Sequence, residues 1–459
     1  MIGTMSIAQL QQDLAPQLMA LASGESHSFT RVCTDSRQIR AGDFFVALRG
    51  PRFDGHQYLA EVQNAGAVAA LVDTQVPSCS LPQLQVDDTT LGLGEIARLN
   101  RQRFNGAVVA ITGSSGKTSV RVMVDGILRG EGEVMSSQGN FNNHIGVPLT
   151  LLRLEGHEKF AVIEMGASAI GEIAYLCELA QPDVALVNNV MPAHLQGFGS
   201  LEGVADAKSE IYQGLSATGC CVINLDDQFA PVWLSQLHER DHIGFSLSSS
   251  DADCYASDIK QNAVGSCFNL HLRGRTLAIT LQASGLHNVR NALAAACCAH
   301  AVGASDASIV AGLNEFVPVA GRMTSKPGLG GIRLIDDSYN ANPGSVRAAI
   351  DVLAELPGKT ILVLGDMGEL GEEAHLLHAE IGAYASGKNL YGVFSCGALA
   401  QLITDNLTGT GGQHFEKQSD LIAHLRQVAV GEDCTVLIKG SRSARMDVVV
   451  RALTDEEKQ

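Results

Sequence analysis

Lys117 and Thr118 directly follow a glycine-bracketed loop, Thr112-Gly113-Ser114-Ser115-Gly116-Lys117-Thr118-Ser119. An apolar run, 107–110, precedes the loop, and a helical pattern follows it. A phosphate cradle needs that order: inward-turned backbone N–H groups, glycine where a side chain would intrude, and a helix N-terminus behind. In such a loop Lys117 reaches the outer phosphates and Thr118 offers a hydroxyl to Mg²⁺. A plain strand–turn–helix would need the glycines, but not Lys followed by two hydroxyl residues. The spacing is irregular, however. The full phosphate-loop pattern wants a glycine five positions before Gly116, where Ile111 stands, so the loop is two residues short.

Two further residues have the chemistry of metal ligands. Glu164 ends the apolar run in FAVIEMGAS, and His194 lies in NNVMPAHLQGFGS, just beyond VALVNN. Ligands of parallel sheets bind outside the carboxyl ends of the strands, where a phosphate loop also sits. Three strand ends are therefore predicted to converge, with Glu164 and His194 as Mg²⁺ ligands. The plainer reading of each is a solvated loop carboxylate and a structural histidine.

The elements that must position these residues follow from periodicity. AVVAIT, FAVIEM, VALVNN and CVINL are nearly continuous apolar runs, as expected of parallel strands covered on both faces. The predicted fold class is α/β with three domains. Residues 1–105 form a small N-terminal α/β domain, 106–322 a central P-loop-type parallel sheet domain, and 323–459 a C-terminal Rossmann-like domain. Beyond Asp251 the pattern alternates with period two around a turn at Arg273-Gly274, which predicts a short antiparallel appendage. The third segment has no G-x-G-x-x-G, so nothing there points to a dinucleotide.

Composition narrows the function. The formal net charge of −17 and a sequence pI of about 5.2 argue against nucleic acid as the main partner, because phosphate backbones need a basic face. The 11 cysteines include no C-x-x-C, so they read as reduced thiols and not as a zinc site. MIGTMSIAQLQQDLAPQLMA reads as a first helix, not a signal peptide. No apolar run reaches the roughly 18 residues of a membrane span. A cytoplasmic protein without stable membrane insertion is expected.

These residues resemble the Mur ligases, the ATP-dependent amide-forming enzymes of bacterial cell-wall synthesis. The short T-G-x-x-G-K-[ST] loop is that family's own form. The resemblance extends through QGNFNNHIGVPLTLL, AHLQGFGSLEGVADAKSEIY, IDDSYNANPGSV and LVLGDMGELG. YNANP stands where the ligases that add the third peptide residue carry DNPR. Folylpolyglutamate synthases share the loop but are not expected to show TDSR…GDFFVAL…DGH. One departure is Gln196, where Glu is more usual.

The resemblance implies ATP and Mg²⁺ as cofactors and an acyl-phosphate reaction. It also implies two small-molecule substrates, UDP-N-acetylmuramoyl-tripeptide and D-alanyl-D-alanine, and a monomer. Gly113, Ser114, Ser115, Gly116, Lys117, Thr118 and Ser119 would hold ATP phosphates. Lys117, Glu164, His194 and Lys208 would form the catalytic set. Thr118 and Glu164 would hold the first Mg²⁺, and His194 a second metal with a carbamylated Lys208. An unmodified Lys208 would instead pair with a phosphate or Glu210. Asn288 and Asn291, after His287, would sit near adenine. Arg322 would reach ATP from the hinge, and Asp337, Tyr339, Asn340 and Asn342 would face it from the third domain. Asp35, Ser36 and Arg37, with Asp54-Gly55-His56, would lie near the uridine diphosphate. Asn140, Asn142 and Asn143 would face the muramyl-peptide. Lys439, Arg442 and Arg445 would either steer the anionic peptide or lie in a solvated loop. Ligands should draw the third domain inward about a hinge near Gly321. Another ligase of the superfamily, a small-molecule kinase and an ATP-controlled binding protein stay open as alternatives.

Overall fold

Val108 to Ile111 have no room for water on either face, and the strand they form, Ala107–Thr112, is central to the molecule. The computed structural model describes residues 1–14, 28–237, 240–262 and 264–454. In the central sheet, strand Ala107–Thr112 lies between Phe160–Glu164 and Val184–Val187, and both pairings are parallel. The register sets Glu164 beside Ile111 and Val187 beside Thr112, so the three following loops leave one edge together.

The sheet has nine strands. Its far end is built from Cys254–Gln261, Ser266–Leu272 and Arg275–Leu281. The antiparallel appendage is thus a continuation of the parallel sheet, joined at Phe245 and Ser246. Arg273 and Gly274 both have positive φ (45° and 80°), as a tight two-residue hairpin turn requires.

The first domain holds a four-stranded parallel sheet made of Val32–Cys33, Phe44–Val46, Ala69–Val72 and Gln83–Gln85. Helix Thr89–Gln102 leaves it, its first turn capped by the Asp88 carboxylate. Asn100 on this helix donates to the carbonyls of Leu151 and Leu154, and Arg101 donates to that of Ala180 at 2.7 Å. Leu48, Leu71 and Val86 of the first domain therefore share one core with Val147, Leu151, Ile173 and Leu176. The predicted N-terminal helix is present as Ile7–Asp13, with Ser6 as its cap; residues 15–20 of that prediction lie outside the described ones.

The third domain is a six-stranded sheet in the order Thr324–Pro327, Arg333–Asp337, Cys434–Lys439, Lys359–Gly365, Gly392–Cys396, Gly411–Phe415, parallel except for the first pair. All eleven cysteines are free, and only Cys267 is exposed. Among the described residues no helix is long and apolar enough to cross a membrane.

Candidate active site

The short loop closes because its glycines let neighbouring backbone approach. Gly113 and Gly116 have φ of 146° and 79°. A Cβ on Gly116 would stand 2.6 Å from both Asn188 Nδ2 and Asn291 Oδ1. Helix Lys117–Arg129 starts directly behind. Two asparagines at the end of strand Val184–Val187 staple the loop. Asn189 Oδ1 accepts from the Ser115 N–H at 2.9 Å, and Asn188 Nδ2 donates to the Ser115 carbonyl at 2.9 Å. Asn188 Nδ2 also donates to Asn291 Oδ1 at 3.0 Å, so Asn291 supports the loop from the helix Leu286–Ala301. Replacing Gly116 by Ala should cost about 1–3 kcal/mol from the left-handed backbone and weaken ADP binding further through the asparagine clash. Denaturation and calorimetric titration with ADP check both.

Lys117 Nζ donates to the Gly113 carbonyl at 2.6 Å. Burial lowers its pKa, Glu164 opposes that, and Arg322 adds to it. Thr118 Oγ1 donates to Glu164 Oε2 at 2.8 Å, while Asn142 Nδ2 donates to Oε1 at 2.9 Å. Arg121 Nε lies 3.5 Å from Oε2. Glu164 is only 3% exposed. The two strand-end loops predicted to meet the phosphate loop do so, with His194 entering from the third. His194 has φ 53°, and its Nδ1 lies 2.6 Å from Glu369 Oε2 of the third domain. Burial lowers the His194 pKa; Glu369 opposes this, and Lys117 and Lys208 reinforce it.

Lys208, on helix Leu201–Gln213, is 2% exposed, with its ammonium 5.8 Å from the centre of the Phe198 ring. Burial, with Lys117 nearby, holds its pKa well below the lysine range. The alternative pairing with Glu210 is not made. The Glu210 carboxylate accepts from the N–H groups of Gly171 and Ala174 at 2.7 and 2.9 Å, capping the neighbouring helix.

A cavity of about 760 Å³ joins the central and third domains. Ser114 to Ser119, Glu164, His194 and Lys208 line it, as do Asn140, Asn142 and Asn143. Asn143 is also committed locally, accepting from the Gly146 N–H at 2.9 Å to start the helix Gly146–Leu151. His287, Asn288 and Asn291 form another wall. Burial, with Lys439 and Arg290 nearby, pushes His287 down to about 4. Asn288 Nδ2 is held by the Ser284 carbonyl at 2.8 Å. From the third domain, Asn342 caps the helix Pro343–Ala354 and reaches the Ser114 carbonyl at 3.4 Å. The Arg322 guanidinium lies 4.2 Å from the centre of the Tyr339 ring, and that of Arg442 lies 5.8 Å from it.

The predicted basic cluster at 439–445 is divided. Lys439 is buried, donating to Asp337 Oδ2 at 2.6 Å and to the Asn340 carbonyl. Both residues end adjacent strands, so each neutralises the other at the sheet edge, and both line the cavity. Burial raises the Asp337 pKa against the pull of Lys439. Arg442 lines the cavity, whereas Arg445 turns to Asp447.

Asp35, Ser36 and Arg37 lie outside the cavity. The Asp35 carboxylate caps its own turn and pairs with Arg37 at 2.7 Å, which holds its pKa down to about 2. His56 is tied on both ring nitrogens, to Asp54 Oδ1 at 2.6 Å and to the Asp73 N–H at 3.1 Å, a structural arrangement. Sequence reasoning missed Asn188, Asn189 and Glu369. Only the asparagine pair leaves a local signal, two amides closing an apolar strand.

The chain matches three family patterns: "Mur ligase family, catalytic domain" over residues 28–101, "Mur ligase middle domain" over 111–299, and "Mur ligase, glutamate ligase domain" over 321–442. It is 42% identical over 454 residues to the UDP-N-acetylmuramoyl-tripeptide--D-alanyl-D-alanine ligase of Escherichia coli (strain K12), covering 98% of this chain and 99% of that one. Its fold is similar to the crystal structure of MurF from Acinetobacter baumannii, with TM-score 0.92, 32% identity and 98% of each chain covered. The MurF ligase of Thermotoga maritima in complex with ADP superposes at TM-score 0.84, with 28% identity over 92% of this chain and 96% of that one. With the likeness running almost end to end, and the patterns falling in order on the three sheets, the chain belongs to the Mur ligase family.

Proposed function

We propose that the chain is an ATP-dependent ligase that joins D-alanyl-D-alanine to UDP-N-acetylmuramoyl-tripeptide, giving the UDP-linked pentapeptide. The observation that carries this reading is the cavity itself. A phosphate loop, a hydroxyl–carboxylate pair and a buried lysine face one space shared by two domains. The name of the Escherichia coli relative supports the choice of substrates.

The tripeptide carboxylate attacks the γ-phosphorus of ATP and ADP leaves. The D-alanyl-D-alanine amine then attacks the acyl carbon and phosphate leaves. The first step brings anion to anion, so it needs positive charge placed beforehand. Lys117 supplies part of it by moving from the Gly113 carbonyl to the β- and γ-phosphates. The residues present also fit Mg²⁺. Thr118 and Glu164 are hard oxygen donors side by side, and among the described residues no group of three His, Cys, Asp or Glu closes a cage. That suits an ion that keeps waters and shares substrate phosphates. Bound there, Mg²⁺ would supply the remaining charge neutralisation. His194 and Lys208 would hold a second ion, with Lys208 converted to a carbamate by CO₂. A buried amine held neutral is the form that reacts so. The substrates are water-soluble nucleotides and a dipeptide, in keeping with a cytoplasmic enzyme.

Phosphate release should require Mg-ATP, UDP-tripeptide and D-alanyl-D-alanine together, with the pentapeptide identified by mass. Release that ignores the dipeptide would overturn the reading.

A further inference from the structure

Asn188 is fully buried and directly follows strand Val184–Val187. Its backbone is clamped from both neighbouring strands. The N–H donates to the Thr112 carbonyl at 2.9 Å, and the carbonyl accepts from Asn224 Nδ2 at 3.0 Å. From this anchor the side-chain nitrogen uses both of its hydrogens. One goes to the Ser115 carbonyl at 2.9 Å, the other to Asn291 Oδ1 at 3.0 Å. Its Oδ1 finds no hydrogen-bond partner among the described residues.

The orientation of this amide is forced. A backbone carbonyl only accepts, so the nitrogen of Asn188 must face Ser115. The same nitrogen then requires an oxygen from Asn291. The Asn291 nitrogen is thereby turned to Asn288 Oδ1, 3.4 Å away, and Asn288 Nδ2 donates to the Ser284 carbonyl at 2.8 Å. Three amides thus run with one polarity from the phosphate loop to the start of helix Leu286–Ala301. Asn288 and Asn291 line the cavity, and Asn188 lies outside it.

We propose that Asn188 is a positioning residue that couples the two halves of the nucleotide site. It ties the asparagine wall, placed for the base, to the Ser115 carbonyl of the loop, placed for the phosphates. Ordering either half orders the other, and Asn188 itself touches no nucleotide. The inference rests on the nucleotide site in the reading above and not on the reaction carried out there.

Inorganic tripolyphosphate with Mg²⁺ is the probe, since it can fill the loop and has no base. Asn291→Ala should weaken its binding about 3- to 10-fold, the coupling expected within one hydrogen-bond network, although Asn291 belongs to the base side. In an Asn188→Ala background the same substitution should change it by less than about twofold. A direct contact of Asn291 with phosphate would instead persist in that background. Calorimetric titration of the parent, both single variants and the double variant closes the cycle. Asn188→Leu drops the amide and keeps the volume, so it takes the place of Asn188→Ala if a cavity there unfolds the chain. In either variant Asn189 Nδ2 still donates to the Ser115 carbonyl, at 3.0 Å. A purely structural Asn188 would lower Tm and affinity by amounts that add. Additive losses, or tripolyphosphate binding that ignores Asn291→Ala in the parent, overturn the proposal. A parent that binds no tripolyphosphate overturns both the coupling and the nucleotide site. Non-additive losses in a protein that forms pentapeptide under no mixture support the coupling and reject the reaction.

Discussion

Lys117→Met lowers phosphate release by about a thousandfold or more, the upper range for losing one preorganised charge. The amine lies beside the Thr118–Glu164 pair and is parked on the Gly113 carbonyl. It costs little to swing onto phosphates, and nothing else on the loop carries positive charge. ADP affinity should fall much less, because the backbone cradle and helix N-terminus survive the substitution. Release kinetics and ADP calorimetry separate the two effects. A variant that turns over at a tenth of the parent rate would remove Lys117 from the phosphoryl-transfer step. Arginine should not restore activity, since its planar fork is larger than the ammonium the loop accommodates.

Lys208→Met has effects of opposite sign on activity and stability. Ligation should fall to background, because the residue is then unable to hold a metal as carbamate or to touch phosphate as ammonium. Stability near neutral pH should rise, because the lysine is protonated in the unfolded chain there while burial disfavours its charged form in the folded one. The pH dependence follows from the depressed pKa of Lys208. Between the folded and unfolded pKa values the unfolded chain binds more protons, so parent stability rises with pH across that window. It is lowest below the folded pKa and levels off above the ordinary lysine value. The methionine variant should lose part of this slope and not all, because Lys117 is depressed in the same direction. Urea unfolding at several pH values measures it. An equal slope in both proteins would place Lys208 in a wetter environment than its burial implies.

The buried strands were legible because Val, Ile and Ala run without interruption where both faces are covered. The edge strands Thr324–Pro327 and Gly411–Phe415 were not, since TSKP and GGQHF are half-solvated and take their conformation from a neighbour. Glu164 and His194 could be placed because parallel topology brings strand ends to one edge. The Asp337–Lys439 pair, 102 residues apart, was invisible as a pair, because only the register of two distant strands sets them together. Glu369 had no local signal at all, because its approach to His194 depends on how one domain rests on another.

Helix Thr89–Gln102 carries a consequence for cooperativity. One flank lies on the first sheet and the other among helices of the central domain, within a single core that reaches from Met5 to Leu237. The third domain keeps its own cores, drawn from residues beyond 330. Three family patterns therefore correspond to two units of folding. A graft that exchanged the first domain at residue 105 would carry this helix away from Leu151 and Ala180 and expose the apolar face it covers. The natural seam for such an exchange lies near Gly321, where the chain passes between cores that share little.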